Sequence, residues 1–252
     1  MRTLDGKVVW ITGAGTGIGE ATARLLALAG MTVVLSGRRQ EPLEASAATI
    51  RGTGGRAEVI ALDVGDRDAV FDAAAQIDRN HGRIDLLFAN AGTNLTPRNW
   101  SDAVADRSIL DGWDAVIDAN VKGVYNGVTA VLPAMRRQGD GLIVITSSWA
   151  GRFYSAVAGV AYGASKHAVM SISAHVNMQE GANGIRSCAI CPGEVATPIL
   201  DRRPVKLTPE ELEKLIQPED IAEAVLFAAR MHPRTSIHEI LVAPTFPRAT
   251  KP

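Results

Sequence analysis

Tyr162 and Lys166 are the two residues whose types and spacing most directly suggest chemistry. In the run Tyr162-Gly-Ala-Ser-Lys166 they stand at positions i and i+4, which places a phenol and an ammonium on one helix face. A free tyrosine has a pKa of about 10, so it exchanges protons poorly at neutral pH unless a nearby cation stabilises the phenolate. Ser148 lies a short loop upstream, and its hydroxyl would hydrogen-bond a reacting oxygen. Together the three residues predict a proton-transfer site.

A tyrosine and a lysine at this spacing occur by chance on many helices, so the surrounding elements decide what the pair means. Short apolar runs alternate with longer segments of helical period, which predicts βαβα units and a parallel sheet. The strand candidates are Lys7 to Thr12, Thr32 to Ser36, Ala57 to Leu62, Ile84 to Ala89, Gly141 to Ser147, Ile185 to Cys191 and Ile237 to Val242. The helical candidates are Gly17 to Ala29, Glu41 to Arg51, Asp66 to Asn80, Leu110 to Gln138, Tyr162 to Glu180 and Pro218 to Met231.

This order of elements predicts an α/β fold with a Rossmann-type, doubly wound, seven-stranded parallel sheet flanked by helices. No repeat, low-complexity tract or flexible linker interrupts the series, so a single domain over residues 1–252 is expected. Two irregular stretches remain, residues 93–109 and 194–208. Ligands of open α/β sheets bind beyond the carboxyl ends of the strands, where both stretches are expected to emerge.

The charge balance favours small molecules as partners. The 252 residues include 26 Lys and Arg against 27 Asp and Glu, a formal net charge of -1. This balance gives no electrostatic reason to expect nucleic acid or an anionic membrane as partner. The N-terminal run has no signal-peptide core, and no uninterrupted apolar stretch reaches about 18 residues. We expect a soluble, cytoplasmic protein.

The cysteines and histidines do not predict a metal site. Cys188 and Cys191 form a CxxC inside a strand candidate, where their odd offset points them to opposite faces of the sheet. They are interpreted as buried structural thiols rather than a disulfide or a metal clip. The five histidines are scattered without a ligand pattern, so the predicted chemistry is metal-free.

The first strand candidate runs into a glycine-rich turn, Thr12 to Gly19, and then directly into a helix. The GxGxxG fingerprint does not fit because Ile18 occupies the third glycine position, whereas Gly13, Gly17 and Gly19 match GxxxGxG. Glycines permit a tight turn and a close approach of the backbone to a pyrophosphate, and the helix N-terminus offers free N–H groups to the anion. We call residues 12–19 the glycine turn and predict that they bind a dinucleotide.

The end of the second strand candidate indicates which dinucleotide. NAD sites usually carry an acidic residue there, whereas an arginine suits the 2′-phosphate of NADP. The chain reads Leu35-Ser-Gly-Arg38-Arg39, with no acid. Arg38 is placed to contact a phosphate, and Arg39 to stack on the adenine or add a second charge. NADP(H) is therefore favoured over NAD(H), while two solvated arginines at a helix entrance remain the alternative.

Together these residues resemble the short-chain dehydrogenase/reductase family, in its short single-domain branch. The resemblance extends from Lys7 to about Val242, and the motifs follow in the family's order. They are the glycine turn, Asp63 after the third strand, Asn90-Ala91-Gly92 after the fourth, Asn120 in the next helix, Ser148, Tyr162xxxLys166, and Pro192-Gly-Glu-Val-Ala-Thr197 after the sixth strand.

The resemblance implies a role for each motif. It makes Tyr162 the general acid/base, lets Ser148 orient the carbonyl or hydroxyl, and lets Lys166 bind the nicotinamide ribose and lower the pKa of the tyrosine. Asn120 is expected to hold a water that links Lys166 to solvent. The implied cofactor-binding residues are Gly13, Thr16, Gly17, Ile18, Gly19, Arg38, Arg39, Asp63, Val64, Asn90, Ala91, Gly92, Tyr162, Lys166, Pro192, Gly193, Val195 and Thr197. In this set Asp63 and Val64 contact the adenine, Asn90 the adenosine ribose, and Val195 and Thr197 the nicotinamide carboxamide.

The implied activity is reversible, NADP(H)-dependent interconversion of a carbonyl and an alcohol by hydride transfer. An NAD(H)-preferring dehydrogenase of the same family and a dinucleotide-binding regulator without turnover are the alternatives. A homotetramer or homodimer is expected by analogy and from the small residues along the Tyr162 helix. The substrate is left open. Five loop arginines could meet a carboxylate or sulfonate, but solvation is the favoured interpretation; they are Arg98, Arg107, Arg152, Arg202 and Arg203.

Four features depart from the family pattern. The step from Ser148 to Tyr162 is fourteen residues, one more than the commonest spacing, so Ser147 is a rival for the catalytic serine. Ser148 is still favoured, because the Ser-Ser-x-x-Gly pattern that ends at Gly151 aligns the second serine with the family's catalytic one. Tyr154 is a second candidate for a phenol in the pocket. The stretch between Asn90 and Asn120 is longer than usual, and the C-terminal segment after Val242 lacks the usual glycines. The last departure puts the usual C-terminal subunit contact and pocket closure in doubt.

Overall fold

Seven parallel strands of the described residues form one sheet in the order β3-β2-β1-β4-β5-β6-β7. The structure, a computed structural model, describes residues 2–95, 100, 109–202 and 206–246. The strands are β1 Val8–Thr12, β2 Thr32–Gly37, β3 Arg56–Ala61, β4 Leu86–Ala89, β5 Gly141–Thr146, β6 Ile185–Pro192 and β7 Glu239–Val242. The strand order reverses between β1 and β4, which confirms the predicted Rossmann-type, doubly wound α/β fold.

The strands read as continuous apolar runs because helices cover both faces of the sheet. Side chains of β1 alternate between two cores, with Val9 and Ile11 on one face and Val8 and Trp10 on the other. The Trp10 indole N–H donates to Ser36 Oγ at 2.9 Å, so this polar atom is satisfied inside the core. The sheet is thereby held rigidly enough to position side chains at its carboxyl edge.

Eight α-helices are described. They are α1 Gly17–Leu28, α2 Gln40–Gly52, α3 Arg67–His81, α4 Ile109–Ile117, α5 Gly123–Gln138, α6 Val160–Glu180, α7 Pro209–Glu213 and α8 Pro218–Arg230. Helices α1, α2 and α8 pack on one face of the sheet, and α3, α5 and α6 pack on the other. Helix α7 was not predicted, and it begins in a capping box made by Thr208 and Glu211.

The prediction of a single helix from Leu110 to Gln138 was wrong. A π-helical turn, Asp118–Lys122, separates α4 from α5. Such a turn holds one more residue than an α-turn and is frequent at functional sites. It contains the buried Asn120, whose side chain is bound by another segment, so the irregularity coincides with a contact that helical periodicity cannot reveal.

Both cysteines are buried, as predicted. Cys188 lies in the core beneath α1 and α8, while the Cys191 thiol contacts the Met170 sulfur of α6 at 3.5 Å on the other face. Burial raises the pKa of Cys188 to about 12 and that of Cys191 to about 11. Both thiols therefore stay protonated at neutral pH and pack as small apolar side chains.

A buried carboxylate anchors the amino-terminal end of the sheet. Asp85 accepts hydrogen bonds from Arg83 Nη2 at 2.6 Å and from the Val8 N–H at 2.9 Å, and it lies 3.1 Å from Lys7 Nζ. Burial alone raises the pKa of this carboxyl, but the bonds from Arg83, Val8 and Lys7 outweigh it and hold the pKa below its usual range. Asp85 thus joins the start of β1 to the residues that precede β4.

We expect Asp85→Asn to lower the free energy of unfolding by about 3 kcal/mol, because it leaves neighbouring cations without their buried counter-ion. The folded pKa is depressed, so the contribution is complete above the unfolded pKa of about 3.9 and is lost as pH falls through the folded value. Urea unfolding at pH 7 and pH 3 measures both effects. The control is Asp78→Asn, which removes the more exposed pair with Arg137 and should cost less than about 1 kcal/mol.

Candidate active site

The glycine turn is shaped so that side chains are excluded from it. Gly13 and Gly17 have φ values of +67° and +58°, a region that favours glycine. A Cβ at Gly13 would lie 2.9 Å from Ala91 Cα, and one at Gly19 would lie 2.2 Å from the Gly13 oxygen. The turn therefore packs against the segment that follows β4 and brings α1 close to the sheet.

The start of α1 is left open for an anion. Thr16 is the N-cap residue in an extended conformation, and its side chain makes no cap hydrogen bond. The first amides of α1 are therefore not satisfied by their own cap and point out of the turn, where a phosphate is favoured. Backbone shape and the free donors both fit a dinucleotide phosphate.

A cavity of about 200 Å³ extends from the glycine turn across the carboxyl end of β2. It is lined by Gly13, Gly15, Thr16, Gly37, Arg38, Arg39, Pro42 and Leu43. Both arginines are exposed, and neither forms an ion pair with a carboxylate among the described residues. The cavity thus combines a glycine-lined floor with two unneutralised cations, which suits a nucleotide carrying an additional phosphate.

Asn90 connects three strands at the carboxyl edge. Its Nδ2 donates to the main-chain oxygens of Thr12 and Gly13, both at 3.3 Å. Its Oδ1 accepts from Thr146 Oγ1 at 3.0 Å, and the main-chain oxygen of Thr146 accepts from Lys166 Nζ at 2.8 Å. The glycine turn and Lys166 are therefore joined through Asn90 and Thr146.

Lys166 and Tyr162 lie together on α6, as their spacing predicted. Lys166 Nζ is 5.4 Å from the centroid of the Tyr162 ring. Lys166 is only 4% exposed, and its burial lowers its pKa to about 8. Tyr162 is half-buried. A cation next to a phenol stabilises the phenolate, so this arrangement is able to exchange a proton with a bound oxygen.

Asn120 is fully buried in the π-helical turn, and its side chain forms hydrogen bonds to other segments of the protein. Its Oδ1 accepts from the Thr93 N–H at 2.7 Å, while Nδ2 donates to the Thr93 oxygen and to Ser165 Oγ, both at 3.0 Å. A Cβ at Gly92 would lie 3.1 Å from Asn120 Oδ1 and 3.6 Å from Lys166 Nζ. Asn120 therefore holds the segment after β4 against α6, beside Lys166.

The two serines after β5 have different environments. Ser147 is 1% exposed, and its Oγ donates to the main-chain oxygen of Lys166 at 2.9 Å. Ser148 is half-buried, and its Oγ accepts from the Ala150 N–H at 3.1 Å at the start of a 3₁₀ turn, Trp149–Gly151. This bond leaves the Ser148 hydroxyl hydrogen for another acceptor.

The segment after β6 returns to the glycine turn. The Gly193 N–H donates to the Val242 oxygen at 2.7 Å, and the Ala196 N–H donates to the Ile216 oxygen at 2.8 Å. Val195 is buried, and Thr197 packs so closely on Gly17 that a Cβ there would lie 3.0 Å from Thr197 Cγ2. Thr197 is thus held at the mouth of the glycine turn.

Asp63 and Val64 lie after β3 at the same edge. Asp63 is exposed and accepts from the Gly65 N–H at 2.9 Å. Val64 is buried, and its main-chain oxygen accepts from Asn126 Nδ2 at 3.0 Å. This loop therefore presents the exposed Asp63 carboxylate next to Val64, whose main chain is held by Asn126.

Tyr154 and Arg152, two candidates for contact with a substrate, each contact another residue of the chain. The Tyr154 ring is 99% exposed and stacks on His167 with ring centroids 5.7 Å apart. Arg152 Nε lies 2.8 Å from Glu239 Oε1, so this arginine is paired with β7. Arg98, Arg107 and Arg203 lie outside the described residues, as do residues 96–99 and 101–108 of the long loop, and nothing is described for the side chain of Arg202.

Several supporting residues were not identified from the sequence. Thr12 Oγ1 accepts from the N–H groups of Asn90 and Ala91, both at 3.1 Å. Thr93, Thr146 and Ser165 complete the networks of Asn120 and Asn90. They carry no motif of their own, and the available signal was only their position beside one.

The described residues contain neither a metal-binding cluster nor a membrane-spanning helix. No group of three or more His, Cys, Asp and Glu residues is arranged to hold a metal ion there. In the same residues, no helix has the length and apolar character needed to cross a membrane.

The doubly wound sheet and the open glycine turn at its carboxyl edge define a dinucleotide-binding α/β protein. The sequence profile of the family described as short chain dehydrogenase matches residues 7–206. An uncharacterised oxidoreductase of Listeria innocua is 37% identical over an alignment of 251 positions, which covers 96% of this chain and 98% of that protein. The 3-oxoacyl-[acyl-carrier-protein] reductase FabG of Thermotoga maritima is 35% identical over an alignment of 231 positions, which covers 90% of this chain and 91% of that protein.

Among solved structures, a metagenomic short-chain oxidoreductase in complex with NADP superimposes with a TM-score of 0.81. It is 32% identical in sequence, and the match covers 98% of this chain and 100% of that chain. The chain therefore belongs to the short-chain dehydrogenase/reductase family. It is an NAD(P)-dependent oxidoreductase that acts on CH–OH or carbonyl groups.

Proposed function

We propose that the protein is an NADP(H)-dependent carbonyl reductase or alcohol dehydrogenase in which Tyr162 is the general acid/base. The observation that carries this proposal is the buried Lys166 ammonium, 5.4 Å from the Tyr162 ring and fixed by the Thr146 oxygen. A phenol in this position gains acidity only where a cation is held beside it, and few other functions require a buried lysine there. A panel of aldehydes, ketones, keto acids and sugars, followed by NADPH absorbance, tests the activity.

Four groups of residues are proposed to hold the dinucleotide. Gly13, Thr16, Gly17, Ile18 and Gly19 bind the pyrophosphate, since the turn excludes side chains and leaves helix amides unsatisfied. Arg38 and Arg39 bind the 2′-phosphate, and Asp63 with Val64 bounds the adenine. The residues proposed to face the riboses and nicotinamide are Asn90, Ala91, Gly92, Tyr162, Lys166, Pro192, Gly193, Val195 and Thr197. When bound, the nicotinamide supplies or accepts the hydride.

The proton chemistry belongs to the chain's own residues. In reduction, Tyr162 donates its hydroxyl proton to the substrate oxygen while Ser148 donates a hydrogen bond to that same oxygen. The adjacent Lys166 ammonium stabilises the phenolate that remains. Lys166 then passes a proton to this phenolate and regains one from solvent through a water. Both side-chain N–H groups of Asn120 are occupied, so we propose its main-chain carbonyl as the group that holds this water. The burial of Ser147 and its bond to the Lys166 oxygen favour Ser148 as the catalytic serine.

Arg38→Ala is expected to lower the ratio of NADPH to NADH efficiency at least about tenfold, because it removes a charge-assisted contact to the 2′-phosphate. The measurement is kcat/KM for each cofactor at a fixed carbonyl concentration. Arg234→Ala is the control, since Arg234 is also exposed but belongs to the segment that precedes β7 rather than to the end of β2. An unchanged ratio in Arg38→Ala would mean that Arg38 does not bind the 2′-phosphate.

We expect residues 1–252 to act as a single catalytic domain, in a homotetramer or homodimer, in the cytoplasm and without a metal. The regulator alternative predicts tight NADPH binding with no turnover on the carbonyl panel. Sedimentation velocity of the full chain decides between monomer, dimer and tetramer.

A further inference from the structure

The substrate side of the site begins with an aromatic segment directly after Ser148. The chain contains four Trp, three Tyr and five Phe, and Trp149, Phe153 and Tyr154 stand within six residues of one another. Trp149 is 37% exposed and Phe153 is 46% exposed. Exposed apolar side chains that are grouped together on a surface often mark a ligand-binding surface.

The 3₁₀ turn fixes the backbone at Trp149. Its inner residues, Ala150 and Gly151, are buried, and a Cβ at Gly151 would lie 2.7 Å from the Lys166 oxygen of α6. The turn is therefore locked against the helix that carries Tyr162. Trp149 is the exposed residue of this turn and adjoins Ser148 at the carboxyl end of β5, the edge at which ligands of such sheets bind.

Phe153 is held against Trp149 before any ligand arrives. The Phe153 N–H donates to the Trp149 oxygen at 2.9 Å, and the two ring centroids are 4.7 Å apart with an interplanar angle of 35°. This separation lies in the attractive range for aromatic pairs. Arg152 lies between the two residues in the sequence and forms an ion pair with Glu239 of β7. This pair attaches the segment to the edge of the sheet. Little conformational entropy is then lost when a flat ligand stacks on it.

We propose that Trp149 and Phe153 form an aromatic wall of the substrate cleft and select carbonyl compounds that carry an aryl group next to the reacting carbon. This inference rests on the proposed carbonyl reductase activity. The substrate oxygen binds Ser148 and Tyr162, and the aryl ring stacks on the wall. Tyr154 is not part of the wall, because its ring stacks on His167, which adjoins Lys166 on α6 and is exposed.

The test compares acetophenone with cyclohexyl methyl ketone, which have the same carbon skeleton but differ in ring aromaticity, and with acetone as a small ketone. We expect the wild type to prefer acetophenone, and Trp149→Leu and Phe153→Leu each to reduce that preference about five- to tenfold. The preference is measured as the ratio of kcat/KM for acetophenone to kcat/KM for cyclohexyl methyl ketone, so that a general change in activity cancels. Trp149→Phe keeps a ring and should retain most of the preference. The control is Phe71→Leu, a comparably exposed phenylalanine on α3.

The outcomes separate this inference from the function it rests on. Turnover of acetone with no preference for acetophenone, or with a preference that both leucine variants retain, overturns the aromatic wall alone. A fall in sedimentation coefficient in Trp149→Leu at unchanged preference also overturns it and assigns the aromatic pair to contact with a second copy of the chain. Absence of turnover on every carbonyl overturns the proposed function as well. Circular dichroism and the Tm confirm that each variant is folded, and Phe153→Leu with Trp149→Phe decides if Trp149→Leu does not fold.

Discussion

Tyr162→Phe is expected to lower kcat/KM for carbonyl reduction by about a thousandfold while the Kd for NADPH changes less than about threefold. The variant keeps the ring beside Lys166 and removes only the hydroxyl group that transfers the proton. Stacking and packing on α6 are therefore preserved. The loss should appear mainly in kcat, because proton transfer to the substrate oxygen is needed only as the reaction proceeds.

Steady-state kinetics and fluorescence titration with NADPH separate these two effects. Tyr154→Phe is the matched control, because Tyr154 is almost fully exposed and its ring stacks on His167. It should keep its activity within about twofold. Retention of more than about a tenth of the activity in Tyr162→Phe would mean that another group supplies the proton.

Lys166→Met is expected to abolish most of the activity and, at the same time, to stabilise the protein without cofactor at pH 7. Burial lowers the pKa of Lys166 to about 8, which is about 2.5 units below its ordinary value and corresponds to about 3 kcal/mol. Methionine removes this cost and loses the hydrogen bond to the Thr146 oxygen, worth about 1 kcal/mol. The net gain in unfolding free energy is about 2 kcal/mol, an example of stability given up for function.

The sign of the pH dependence follows from the lowered pKa. Below about pH 8 the lysine is protonated in both states, so the folded wild type carries the full cost of a buried charge. From about pH 8 to about 10.4 the folded state releases the proton while the unfolded state keeps it, and the wild type gains stability relative to the variant. The advantage of Lys166→Met should therefore shrink as pH rises through this window.

Urea unfolding of both proteins at pH 7, 9 and 10 measures this difference. Lys122→Met is the control, since Lys122 is exposed and pairs with Asp118 on the π-helical turn. It should change stability by less than about 0.5 kcal/mol at all three pH values. A Lys166→Met protein that is less stable than the wild type at pH 7, or a difference that does not vary with pH, would contradict the buried-charge interpretation.

Most of the fold was predictable because its signals are local. Each predicted strand is confirmed to within two residues at either end, since an apolar run bounded by glycine or a helix start is characteristic of a buried parallel strand. The π-helical turn was not predictable in this way. It depends on Asn120 binding the main chain of Thr93 and the Ser165 hydroxyl, which come from two other segments.

Local signals favoured one of two neighbouring serines but did not exclude the other. Counting along the chain left Ser147 and Ser148 as rivals, because a loop of unusual length separates them from Tyr162. The structure buries Ser147 under the Lys166 carbonyl and leaves Ser148 half-buried at the start of a 3₁₀ turn. Arg152 is similar: its type allowed either solvation or a ligand contact, and only the fold brings Glu239 of β7 beside it.

The sequence by itself determined the sheet-forming runs, the glycine turn, the absence of an acid at the end of β2, and the pairing of Tyr162 with Lys166 on one helix face. These features depend on residues a few positions apart, whose geometry is set by helix and strand periods. Only the tertiary structure decided the burial that lowers the pKa of Lys166, the link from the glycine turn through Asn90 and Thr146, and the aromatic pair beside Ser148 with its anchor on β7. Burial and long-range contacts depend on which elements the sheet order brings together, and no local period specifies that order.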